Sequence, residues 1–82
     1  MTRPVITPAQ AAVLRDAAQG LSVYESANRR HISPRTVQTH RGAILGALGA
    51  SRMAHAVALG YELGVLKRGD VDVPQKLISR TG

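Results

Sequence analysis

The residues with chemistry to offer crowd into one short run. Ser33, Arg35, Thr36, Gln38, Thr39, His40 and Arg41 fall between positions 33 and 41. Their side chains are hydrogen-bond donors and acceptors. A guanidinium such as Arg35 matches the major-groove edge of guanine, and a carboxamide such as Gln38 matches that of adenine. Nothing around them suggests catalysis. Ser33 has no His–Asp pattern to activate it, and reads as a helix cap. His31, His40 and His55 do not fall at metal-ligand spacing, and the chain has no cysteine. Asp70 and Asp72 read as a solvated pair. The chain is therefore expected to be no enzyme and to hold no metal or cofactor.

The charge pattern points the same way. Eleven Lys and Arg against five Asp and Glu give a formal charge of +6. Such an excess suits a polyanion: DNA, RNA or an anionic membrane surface. No acidic residue lies between Glu25 and Glu62, an interval that holds Arg29, Arg30, Arg35, Arg41, Arg52 and all three histidines. A mixed surface would alternate the signs, so the interval reads as a binding face. Only two residues, Tyr24 and Tyr61, are aromatic, which disfavours single-strand binding by base stacking. No run is long enough for a transmembrane helix, and Met1–Gln10 lacks the apolar stretch of a signal peptide. No membrane partner is expected, and the expected location is cytoplasmic, on the nucleoid.

Four helices must position these groups. Thr7, Pro8 and Gln10 form a capping box, Val13, Leu14, Ala17 and Ala18 an apolar stripe, and Gly20 a stop; the first helix is placed at about 8–19. Ser22 and Glu25 make a second capping box, which opens a short helix at about 23–30. Ser33 and Pro34 start a third at about 34–48, with Val37, Ile44, Leu45 and Leu48 facing the core and Gly49 ending it. Ser51 is read as the cap of a fourth at about 52–66, although Gly60 and Gly64 weaken its last turns. Residues 67–82 read as a mobile or weakly docked tail, and 1–66 as the single domain.

A short helix, a tight turn at His31 and Ile32, and a longer basic helix make a helix-turn-helix, whose second member enters the major groove. Arg35, Gln38, Thr39 and Gly42 lie opposite the core stripe and are assigned to base reading. Thr36 and Arg41 flank them and are assigned to phosphate, as are the helix-starting Ser22 and Ser33. Arg29 and Arg30 fit either a grip on the DNA backbone or a favourable charge at a helix C-terminus. His40 fits either a phosphate contact or a packing role.

The strings ITPAQAAVL, AAQGLS, ISPRTVQTHRGAIL and LGASRMAHAVAL give residues 6–66 a resemblance to the DNA-binding domain of LuxR/GerE bacterial regulators. The resemblance implies an all-α, four-helix fold whose third helix reads DNA and whose fourth forms the dimer contact. It places Gln38, Thr39 and Gly42 at base-facing positions, and Thr36 and His40 near the backbone. The implied dimer surface is Ala54, Val57, Ala58 and Tyr61. Some residues depart from the family pattern. Gln10 replaces an acidic residue, Gln38 a basic one and Gly42 a longer side chain. Ser26 and Arg30 stand where the family has aliphatic core residues, and burying them unpaired would cost several kcal/mol. Either the second helix turns Val23 and Tyr24 inward instead, or it is marginally stable. The expected function is that of a stand-alone, sequence-specific transcription regulator that binds double-stranded DNA as a homodimer. The alternatives are an interaction protein that pairs with a full-length partner regulator, and an architectural DNA binder.

Overall fold

The computed structural model describes residues 6–70. They form four helices, α1 (Pro8–Ala18), α2 (Val23–Arg30), α3 (Pro34–Leu48) and α4 (Met53–Glu62). Among the described residues there is no strand, and no single helix is long and apolar enough to cross a membrane.

Local chemistry sets the helix starts. Thr7 Oγ1 accepts the Gln10 N–H, and Gln10 Oε1 accepts the Thr7 N–H, both at 3.1 Å. Ser22 and Glu25 repeat this box at the start of α2. Ser33 Oγ accepts the Thr36 N–H, and Pro34 takes the first turn of α3, where no N–H is needed. The α4 start corrects the sequence reading. Its cap residue is Arg52, which makes no side-chain cap bond. Ser51 instead donates its own N–H to His55 Nδ1 at 3.4 Å.

All four helices end in the same way. A residue with positive φ follows each one, namely Gly20, His31, Gly49 and Gly64. The next N–H then bonds back to the last turn: Leu21 to the Asp16 carbonyl, Ile32 to Ala27, Ala50 to Leu45 and Val65 to Gly60. This is the Schellman stop, which glycine makes without steric cost. His31, at φ 58°, makes it with a Cβ present. The same stop explains why α4 ends at Glu62 rather than near residue 66. Gly64 terminates the helix, and Leu66 folds back into the core. Leu66 meets Leu14 over Gly60, where a Cβ would stand 3.0–3.1 Å from both side chains.

The core is Val13, Leu14, Ala27, Val37, Ile44, Leu48, Ala56 and Leu66. Within it lies a polar cluster. Asp16, 1% exposed, and Ser26, 0% exposed, are both inside. Ser26 Oγ donates to Asp16 Oδ2 at 2.7 Å. Arg30 grips the same carboxylate with two bonds, Nε to Oδ2 at 3.0 Å and Nη2 to Oδ1 at 2.7 Å. Arg29 Nη1 stands 3.6 Å from Oδ1. Of the inward-turned pair expected on α2, Val23 packs against the core and Tyr24 does not. Tyr24 stays 73% exposed, so α2 is not rotated to bury it, and the polar groups are paired rather than stranded. Burial pushes the Asp16 carboxyl up, but the Arg30 and Ser26 hydrogen bonds and the two arginine charges outweigh it and hold it below the ordinary carboxylate value. Arg30 is raised by its hydrogen bonds to Asp16, against a smaller opposing effect of burial.

Removing one partner of a buried pair strands the rest. Asp16→Asn should destabilise the domain by about 2–3 kcal/mol, below the usual cost of a fully buried broken pair because Arg30 can turn to water. Replacing all three residues together, Asp16→Leu, Ser26→Ala and Arg30→Leu, should recover most of that loss. Because the folded Asp16 binds its proton less readily than the unfolded one, its contribution is complete above the ordinary carboxylate value. It disappears as the pH falls through the lower folded value. Urea melts of the three proteins at neutral pH, and of the wild type from neutral to strongly acidic pH, check both statements.

Candidate nucleic-acid interface

The exposed side of α3 carries Arg35, Thr36, Gln38, Thr39 and Gly42, while Val37, Ile44 and Leu48 are buried behind it. The first two turns are polar and the later ones bare. Gly42 and Gly46 face open space, and a Cβ added at either would meet no heavy atom within 4 Å. Thr39 Oγ1 donates to the Arg35 carbonyl at 3.1 Å, which leaves its oxygen as an acceptor. The reach of this face therefore rests on Arg35 and Gln38.

The capping serines keep capacity for an anion. Ser22 Oγ accepts the Glu25 N–H, so its own proton is free to donate. Ser33 Oγ lies 2.9 Å from Thr36 Oγ1, a pair that shares one hydroxyl bond and retains one donor. The Glu25 carboxylate accepts the Ser22 N–H at 2.8 Å. That backbone bond, joined by the Ser22 side chain and opposed by slight desolvation, holds it below the ordinary carboxylate value, with Arg29 adding a smaller pull.

The arginines are divided. Arg30 is taken by Asp16, and Arg29 donates to Gln19 Oε1 at 3.2 Å beside the same carboxylate. For these two, the structure adds a third role to the two read from sequence: they tie α2 to α1. Arg41 is half-buried, donates Nη2 to the Leu21 carbonyl at 3.1 Å, and keeps its Nε buried without a partner. It fastens α3 to the turn that precedes α2. Arg35 and Arg52 are exposed and hold no ion pair among the described residues. The acid-free interval thus presents fewer free cations than its composition suggests. His40 is half-buried on α3.

On α4, Ala54, Ala58 and Tyr61 face outward, and Val57 is half-buried against the core. Leu63, just past the helix, is 51% exposed. Among the described residues no group of His, Cys, Asp or Glu could hold a metal ion; Asp72 lies outside them. Sequence reasoning missed Asp16. Its signal was an acid at an inward-facing position of α1, next to the apolar Val13 and Leu14.

A helix-interior glycine in open space weakens its helix for no gain in packing. Gly42→Ala should stabilise the domain by about 0.5–1 kcal/mol, a rise of several degrees in Tm, which a thermal melt would read.

A family model described as bacterial regulatory proteins, luxR family, matches residues 4–59. Comparison with curated proteins gave no significant match.

Proposed function

This chain belongs to the luxR family of bacterial regulatory proteins, and from that membership we propose that it is a sequence-specific regulator that reads the major groove of duplex DNA with α3. The observation that carries the proposal is the division of α3 into a buried apolar stripe and an exposed polar face opening on Arg35 and Gln38. Arg35 pairs with a guanine edge and Gln38 with an adenine edge, while Thr39 accepts from a neighbouring base. Gly42 lets the helix backbone lie close to the groove. Ser22, Ser33, Thr36 and His40 contact phosphates and set the register. Arg41 acts mainly by holding the α2 approach, with its remaining donors toward phosphate.

The chain works as a homodimer through Ala54, Val57, Ala58 and Tyr61 on α4. Two recognition helices then sit about one DNA turn apart, on half-sites roughly 10 bp apart. The exposed Tyr61 favours one second reading, in which this apolar side pairs with a larger regulator instead. Binding separates the two.

Selection from a randomised duplex pool at near-physiological salt should enrich an inverted repeat. Weak binding without an enriched motif would move the assignment to the partner-regulator reading or to an architectural DNA binder. Arg35→Ala and Gln38→Ala should each relax preference at one base pair, at a cost of about 1–3 kcal/mol. Arg41→Ala should weaken all sequences alike and lower Tm as well. Equal losses on every sequence for all three variants would remove the division between reading and positioning residues.

A further inference from the structure

We infer that the turn at residues 67–70 is an added grip on the DNA phosphate backbone, placed beside the start of α2 and carried by Lys67 and Arg68. The inference rests on the duplex-binding reading above. It concerns residues that lie beyond the segment matched to the family, which ends at residue 59.

The route of the chain brings these residues there. After α4, Val65 and Leu66 both donate their N–H groups to the Gly60 carbonyl, at 2.8 and 3.0 Å. Leu66 is buried and meets Leu14, midway along α1. Four residues later, the Asp70 carbonyl accepts Gln19 Nε2 at 2.8 Å, at the end of α1. The strap therefore runs along α1 from Leu14 toward its C-terminus. Gln19 leads through Gly20 and Leu21 directly into Ser22 and α2, no more than about 11 Å of chain.

The turn itself is closed. The Asp70 N–H bonds to the Lys67 carbonyl at 3.0 Å, and Asp70 Oδ2 accepts the Lys67 N–H at 2.8 Å. A turn bonded in this way keeps its ends within about 7 Å. Lys67 and Arg68 are thereby held near Gln19, both exposed.

Charge at this junction is sorted by sign. Arg29 reaches Gln19, and Arg41 reaches the Leu21 carbonyl, so four cations gather around residues 19–22. The nearby carboxylates are each bonded, Glu25 while exposed and Asp70 while half-buried. Asp70 is bonded to the Lys67 N–H and Glu25 to the Ser22 N–H, each at 2.8 Å, while Asp16 is buried beneath. The exposed charged groups there are Arg29, Lys67 and Arg68 against Glu25, a net positive set on the junction that leads into the helix start where a phosphate would sit. A purely structural role is the competing account, in which Lys67 and Arg68 only favour the negative C-terminal end of α1. That role would act on stability, not on the salt dependence of binding.

The test uses the full 82-residue chain and a random-sequence duplex of about three helical turns. Binding is titrated across salt for the wild type, for Lys67→Ala/Arg68→Ala and for Gln19→Ala, with thermal melts alongside. The double variant should bind several-fold to tenfold more weakly on every sequence, and its log K against log salt slope should flatten by about 0.9 per lost contact. Its melt should stay near wild type. Gln19→Ala releases the strap, so adding it to the double variant should bring little further loss. Wild-type binding with an unchanged slope and affinity in the double variant would overturn the inference while leaving the duplex-binding reading intact. No binding by the wild type would remove both.

Discussion

The fold turns on one buried carboxylate. Asp16 sits in the interior of α1 with almost no contact with water, a position at which an unpaired charge would unfold a domain of this size. It is tolerated because α2 brings both of its partners. Ser26 and Arg30 are one helical turn apart, so a single face of α2 supplies a hydroxyl and a bidentate guanidinium to the same group. An apolar contact here could slide by a fraction of a turn at little cost. The directional bonds cannot, so they fix the rotation of α2 about its own axis. The rotation of α2 in turn sets where Ser22 points and how α3 leaves the turn at His31.

The electrostatic character of the surface follows from that arrangement. A formal charge of +6 describes the composition, but part of it is internal structure. Arg30 neutralises a core acid, Arg29 bridges α1 and α2, and Arg41 holds a backbone carbonyl. Among the described residues, the exposed cations outside these contacts stand at the first turn of α3, at the start of α4 and on the strap that follows it. Folding thus engages three of the five arginines of the acid-free interval, Arg29, Arg30 and Arg41, in internal contacts.

Much of this was legible in the sequence because it depends on neighbours in the chain. Capping boxes at Thr7 and Ser22, the Ser33–Pro34 start and the glycine after each of the first and third helices act over three or four residues. The exposed face of α3 followed from the spacing of Val37, Ile44 and Leu48. What escaped was longer in range or chemically ambiguous. Ser26 and Arg30 find their partner ten and fourteen residues back, across a turn, and no helical period connects them to Asp16. Gly64 could be read as a flaw inside a helix or as its end, and only the burial of Leu66 decides between them. The serine expected to cap α4 sits one residue before the cap position, which Arg52 holds. The strap at residues 67–70 carries polar, tail-like residues, and its docking depends on Gln19, about fifty positions away.

The spans of these contacts also suggest an order of assembly. Closing the loops from Asp16 to Ser26 and Arg30 confines ten and fourteen residues, whereas seating Leu66 on Leu14 confines fifty-two. Loop entropy rises by roughly 0.6 kcal/mol with each doubling, so the shorter closures come first at equal reward. The α1–α2 contacts then cost less entropy to close and the seating of Leu66 costs more. Leu66 follows α1, α2 and α3 in the chain, so all three are synthesised before the residue that seals them. Until then, the apolar side of α1 around Leu14 stays open to solvent.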